Sequence, residues 1–206
     1  MSTDKKGTPV VYVALGDSTG VGIGARRGVG YAGRLFERIE RVRPGSGFIN
    51  LCVSGATSSD VLRGQVGRVR GEARPTLATL GIGINDIGHY VALEQFTRNY
   101  EEIVARLKED PSLPVVIANI PDISYAPALP RSMREEVNRR ILLFNEEISK
   151  IVERRSLLLV DIYAMSHEAA PSHPEFFSDD GFHPSDEGYE YWAKTMWPTV
   201  KKAIGQ

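Results

Sequence analysis

The chain has 206 residues, 42% of them hydrophobic, and a formal net charge of -1 from 25 basic and 26 acidic side chains. That length supports one well-buried core and is short for two, so a single domain over 1–206 is expected, and the balanced charge leaves no footprint for nucleic acid or an anionic membrane. The lone cysteine, Cys52, excludes an intrachain disulfide and any multi-cysteine metal site.

Residues 1–9 precede an apolar run too short for a signal sequence, and nothing later approaches a membrane span, so a cytoplasmic chain is the expectation. The run 10–15, Val-Val-Tyr-Val-Ala-Leu, is continuous and β-branched, as a strand buried on both faces should be, and it ends in Gly16-Asp17-Ser18. Ligands bind at the carboxyl ends of strands in open parallel sheets, which makes Ser18 the candidate nucleophile. Asp17 is expected to cap or brace that turn. A glycine-rich loop over 20–30 follows, then a helix over 31–42 with Leu35, Phe36 and Ile39 at helical spacing.

A second strand is expected over 48–53, holding Cys52 as a core thiol. The loop Ser54-Gly55-Ala56-Thr57-Ser58-Ser59-Asp60 ends in good capping residues ahead of a helix through about Val69. The basic run of Arg63, Arg68, Arg70 and Arg74 reads as a solvated helix face. A third strand over 76–80 runs into a second polar loop, Gly81-Ile82-Gly83-Ile84-Asn85-Asp86, where Asp86 is expected to hold its own loop by local hydrogen bonds.

Next come a helix over 93–109, a fourth strand over 115–120, and a proline-broken loop over 121–130 placed to line or cover a pocket. The clearest helix spans 133–155. A fifth strand over 157–161 leads through an irregular stretch to Asp180-Gly181-Phe182-His183-Pro184, and a terminal helix opens at about Ser185 with acids in its first turn. Five strands alternating with helices predict a three-layer α/β/α, flavodoxin-like domain with a five-stranded parallel sheet and right-handed crossovers.

Four blocks fall in order: Gly16-Asp17-Ser18, Ser54-Gly55, Gly83-Ile84-Asn85-Asp86 and Asp180-Gly181-Phe182-His183. This set resembles the SGNH subgroup of the GDSL hydrolases over nearly the whole chain, and its force lies in all four blocks occurring in sequence. The resemblance implies Ser18 as nucleophile, His183 as general base and later acid, and Asp180 as the group that orients His183. It also implies an oxyanion hole made by the backbone N–H groups of Ser18 and Gly55 and the amide of Asn85. The chemistry agrees: a carboxylate three residues from an imidazole can reach it, Pro184 biases His183 away from helix, and an amide donates to an oxyanion without titrating. Thr19 stands where the family name places leucine, a departure that bears on substrate fit.

The implied activity is that of a serine hydrolase acting on small-molecule esters or thioesters through an acyl-enzyme, with no cofactor, no metal, no nucleic acid and no stable membrane insertion. Other motifs overlap these residues. Gly16-Asp17-Ser18-Thr19-Gly20 also fits the nucleophile elbow of α/β-hydrolases, which would make Asp161 the triad acid, although that elbow normally follows several strands. Gly28 to Gly33 fits a dinucleotide fingerprint in the wrong context, and Ser18-Thr19-Gly20 could serve a non-catalytic flavodoxin-like phosphate or nucleotide binder. Asp86-Ile87-Gly88-His89 repeats the Asp-x-x-His spacing, but the asparagine block directly before it points to a pocket or surface role for His89. Asp17, Asp86, His89 and His183 match no metal-ligand motif, and His167 and His173 carry no motif at all.

Overall fold

The structure is a computed structural model that describes residues 7–69 and 74–206. The expected role of Arg70 in a basic helix face lies outside the described residues, as does most of the leading segment. Five parallel strands, β1 (Val11–Gly16), β2 (Gly47–Asn50), β3 (Leu77–Gly81), β4 (Val115–Ala118) and β5 (Leu158–Val160), form one sheet in the order β2-β1-β3-β4-β5. The expected α/β architecture with a five-stranded parallel sheet is the observed one.

Alternation along the strands builds the three layers. Val13, Leu15, Leu80 and Ile117 point to one face, where they meet α5 (Leu93–Leu107) and α6 (Arg134–Arg154) through Phe96, Tyr100, Phe144 and Ile148. Tyr12, Ala14, Leu77 and Val116 point to the other, against α2 (Tyr31–Val42) and α8 (Asp186–Ala203) through Leu35, Ile39, Trp192 and Met196. Each fully buried aliphatic or aromatic side chain contributes roughly 1.5–3 kcal/mol relative to exposure. The helix α8 forms where its ends are satisfied: Ser185 Oγ accepts from Gly188 N, Asp186 and Glu187 sit in the first turn, and Lys201 and Lys202 in the last.

Register then sets the stage for chemistry. Gly16 pairs with Gly81, Gly81 with Ala118, and Ala118 with Val160, so four strands end on one line. Their following residues leave the sheet at the same level, with β1 and β3 diverging at the point where the strand order reverses.

Several local expectations are corrected. The second strand is shorter than expected, Gly47–Asn50; beyond it Leu51 N and Val53 N still donate to Ala14 O and Gly16 O of β1, while the Asn50 side chain accepts from Cys52 N and donates to Gly20 O. Cys52 therefore lies past the strand and is half-buried, its thiol pushed up by burial. Ser58 to Asp60 already belong to a helical turn, α3 (Ser58–Asp60), capped by Thr57, which continues as a π turn over Val61–Gln65 and a tight turn over Val66–Arg68. Arg63 and Arg68 are exposed on it, whereas Arg74 lies beyond it. The loop expected at 81–86 contains a short helix, α4 (Ile84–Gly88), too brief to show a period. The stretch expected to be irregular after β5 begins with α7 (Ile162–Ala169), capped by Asp161.

Candidate active site

Ser18 opens α1 (Ser18–Val21), a single turn directly after β1. Asp17 caps it: one carboxylate oxygen accepts both the backbone N–H of Thr19 at 2.9 Å and the Thr19 hydroxyl at 2.7 Å. This is the bracing role expected of Asp17, and it uses the Thr19 side chain that replaces leucine. Burial pushes the Asp17 carboxyl up, with the Thr19 bonds opposing that shift. The strand end beneath is held by Gln65, whose amide both donates to Gly16 O at 2.8 Å and accepts from Gly16 N at 2.9 Å, as a paired strand would.

His183 arrives from the far end of the sequence on a small hairpin. Ser178 N donates to His183 O at 2.8 Å and Ser185 N to Phe176 O at 2.8 Å, with Asp180 and Gly181 at the turn. Its Nδ1 lies 2.6 Å from Asp180 Oδ2 and its Nε2 lies 3.1 Å from Ser18 Oγ. An ionised carboxylate only accepts, so Nδ1 carries the ring proton and Nε2 is free to accept from the Ser18 hydroxyl. The other Asp180 oxygen accepts from Ser178 Oγ, Phe182 N and His183 N. Burial alone would raise the Asp180 carboxyl, but the bonds from His183, Phe182 and Ser178 outweigh it and hold the group well below the usual carboxylate range. The hairpin is seated on the glycine-rich loop: a Cβ on Gly24 would stand 2.8 Å from His183 Cβ and 2.7 Å from Pro184 O, so only glycine allows that approach.

Gly55 and Asn85 converge from β2 and β3. Gly55 has φ of 77°, a left-handed conformation that glycine takes without strain. The Asn85 amide donates to Ala56 O at 2.9 Å, which fixes the side chain and leaves its second N–H to donate elsewhere. Asp86 is fully buried and accepts from Ser58 N at 2.8 Å and Ser58 Oγ at 2.6 Å. Its carboxylate therefore reaches the first residue of α3, 28 residues away, where the expectation for Asp86 was bonds confined to its own loop. Asn99 donates to the Ser58 and Ser59 hydroxyls and completes the network. Ser18 adds a backbone N–H at the first position of α1, where helix geometry supplies no acceptor.

Beside Ser18 and His183 opens a cleft of about 80 Å³ walled by Thr19, Ile84, Ile123 and Phe182 among others. The proline-broken loop contributes Pro121, Asp122 and Ile123 to its wall, as a pocket-lining loop should.

Other candidates fall elsewhere. The Asp161 carboxylate accepts from Ala164 N and from Asn119 Nδ2, both at 2.9 Å, and serves as a helix cap and sheet tie, not as a partner of His183. His89 is exposed after α4. Asp17, Asp86 and His183, imagined together as metal ligands, are each committed to separate partners. Gln65 and Ser58 carry no signal in the sequence because their contacts link segments 49 and 28 residues apart, and the pairing of His167 with Asp122 spans 45 residues.

A serine, an imidazole and a carboxylate in this order can raise the nucleophilicity of the hydroxyl and take up its proton, and converging N–H donors can hold the oxyanion that forms. The fold matches the lipase Lip_vut3 from a goat rumen metagenome (TM-score 0.73, 21% identity, covering 95% of this chain and 97% of that one). It also matches TesA (0.75, 21%, 94% and 99%). A third match is Axe2, an acetylxylan esterase from Geobacillus stearothermophilus (0.73, 20%, 98% and 97%). No curated protein matches the sequence. The model of one family matches residues 14–191, and with that the chain belongs to the GDSL-like lipase/acylhydrolase family, enzymes that hydrolyse ester bonds.

Proposed function

We propose that the protein is a serine acylhydrolase whose nucleophile is Ser18, whose base is His183 and whose orienting acid is Asp180. The observation that carries this reading is the continuous relay of 3.1 Å from Ser18 Oγ to His183 Nε2 and 2.6 Å from His183 Nδ1 to Asp180 Oδ2. In the forward half-reaction Ser18 Oγ attacks the acyl carbonyl while its proton passes to His183 Nε2. The carbonyl oxygen becomes an oxyanion held by the Ser18 and Gly55 backbone N–H groups and the free N–H of Asn85. Collapse expels the alcohol or thiol, protonated by His183, and leaves Ser18 acylated. Water then attacks the acyl group with His183 again as base, and Ser18 is regenerated. No step calls for a metal or cofactor.

The substrates of this reading are small carboxylesters or thioesters, with an apolar acyl chain suited to the cleft beside Ser18. The whole chain acts as one domain in it, since residues on the carboxyl ends of β1, β2 and β3 and on the hairpin before α8 all take part. Among the described residues no helix is long and apolar enough to cross a membrane. The lone cysteine suits a reducing compartment such as the cytoplasm. An organophosphonate tests the reading directly. Intact-mass analysis should show one adduct on the wild type, peptide mapping should place it on Ser18, and Ser18→Ala should take none. An active preparation that acquires no adduct defeats it. A panel of acyl esters of graded chain length, run beside acetylated sugars, then fixes the substrate.

A further inference from the structure

The loop at 121–130 is fastened at a point that the relay does not use. Asp122 is buried, its side chain 0% exposed, and it lines the cleft together with Ser166, Ser18 and His183. One of its carboxylate oxygens accepts from Ser124 N at 2.8 Å, inside the loop. The other meets Nδ1 of His167 at 2.8 Å, from α7. Asp122 N donates to Ser166 Oγ at 2.7 Å, also on α7. The imidazole is held in plane by Tyr163, stacked at 5.6 Å and 11°, with Tyr125 of the loop tilted against it at 5.9 Å. The helix is itself tied to the sheet, because Asn119 at the end of β4 bonds both Asp161 Oδ1 and Tyr163 N. The far end of the loop reaches the hairpin, where Ala128 N donates to Gly181 O at 3.0 Å.

We propose that His167 is a positioning residue for the hydrolase reaction: by donating Nδ1–H to buried Asp122 it clamps the 121–130 loop to α7 and so sets the wall of the substrate cleft. A buried carboxylate that loses its partner must find water or another donor, and the cheapest route is for the loop to lift. The loop supplies cleft wall through Pro121, Asp122 and Ile123, so lifting it weakens substrate binding. The loop touches the hairpin through the backbone bond from Ala128 N to Gly181 O, but the bonds that orient Asp180 come from Ser178, Phe182 and His183, all within the hairpin, so the relay feels the change less than the cleft wall does.

The inference rests on the proposed hydrolase reading for its kinetic readout, and a second readout stands without it. The imidazole Nδ1 position is reproduced by the amide nitrogen of asparagine but not by that of glutamine, which extends to the Nε2 position; phenylalanine keeps the stack and removes the donor. His167→Phe and His167→Gln should raise KM for an acyl ester about tenfold with kcat within about threefold, and His167→Asn should return KM to within about twofold of wild type. Amide hydrogen exchange at Ser124, whose acceptor is Asp122, should accelerate in the first two variants and recover in the third. Wild-type KM and wild-type exchange in folded His167→Gln overturn the proposal, as does a loss that His167→Asn fails to rescue. If His167→Phe does not fold, the asparagine and glutamine variants still decide, because both are polar at a half-exposed position. A wild type that hydrolyses no ester defeats the hydrolase reading alone, and the exchange comparison then decides the clamp.

Discussion

Among the described residues, two aspartate–histidine pairs are built in opposite senses. Asp180 and His183 are three residues apart on one hairpin, with the acid side chain 45% exposed and the imidazole 21% exposed. Asp122 and His167 are 45 residues apart, with the acid 0% exposed and the imidazole 53% exposed. In both the carboxylate meets Nδ1, at 2.6 Å and 2.8 Å, so that contact does not distinguish them. What does is the other ring nitrogen. Nε2 of His183 faces a serine hydroxyl at a strand end, while the exposed ring of His167 has only its Nδ1 turned inward, to a buried carboxyl group. A histidine becomes a base through what its second nitrogen touches, and a clamp through what its first nitrogen keeps buried.

The sharpest way to break this contrast is to remove the groups unique to the first pair. Ser18→Ala and His183→Ala should each lower kcat by roughly 10⁵- to 10⁶-fold in folded protein, losses that are not additive when combined. No His167 variant should approach that. Comparable kcat losses at both histidines would mean the two pairs share a role. Asp180→Asn comes next, with about a 10⁴-fold fall in kcat, because an amide can present its N–H to Nδ1 and favour the wrong tautomer. Asp161→Asn should leave kcat near wild type and lower only the thermal midpoint through the weakened cap of α7. The reverse ranking, read from parallel kinetics, would transfer the acid role to Asp161.

Asn85→Ala should lower kcat about 10²- to 10³-fold, roughly 3 to 4 kcal/mol of transition-state stabilisation, with KM little changed. Its bond to Ala56 O means some stability is lost too, so kinetics and melting belong on the same sample. Near-normal kcat in folded Asn85→Ala would sink the oxyanion assignment. The smallest effect separates the acids by pH. Asp180 is held below its ordinary value by hydrogen bonds that outweigh burial, so its ionised form stabilises the fold. That contribution is whole above the unfolded value near ~3.9 and is lost as pH falls through the folded value. The gap in Tm between wild type and Asp180→Asn should thus be constant near neutrality and close on strong acidification. A gap that widens instead would contradict the sign of the shift.

Much of this was legible in the linear chain because it depends on short-range chemistry. The buried run into Gly16-Asp17-Ser18 announces a central strand, and the repeated alternation of strand and helix announces a parallel sheet. Asp180 and His183 are readable as a pair because three residues are enough to bring a carboxylate to an imidazole in one turn. Asp17 is readable as a cap for the same reason. The strand order, the line of Gly16, Gly81, Ala118 and Val160, and the 3.1 Å contact across 165 residues between Ser18 and His183 belong to tertiary structure. So do the Gln65 clasp on Gly16, the reach of Asp86 to Ser58, and the clamp of His167 on Asp122. Periodicity and capping are set by residues within a turn of one another, whereas a buried polar group takes whichever partner the packed layers bring within about 3 Å, and nothing local records which one that will be.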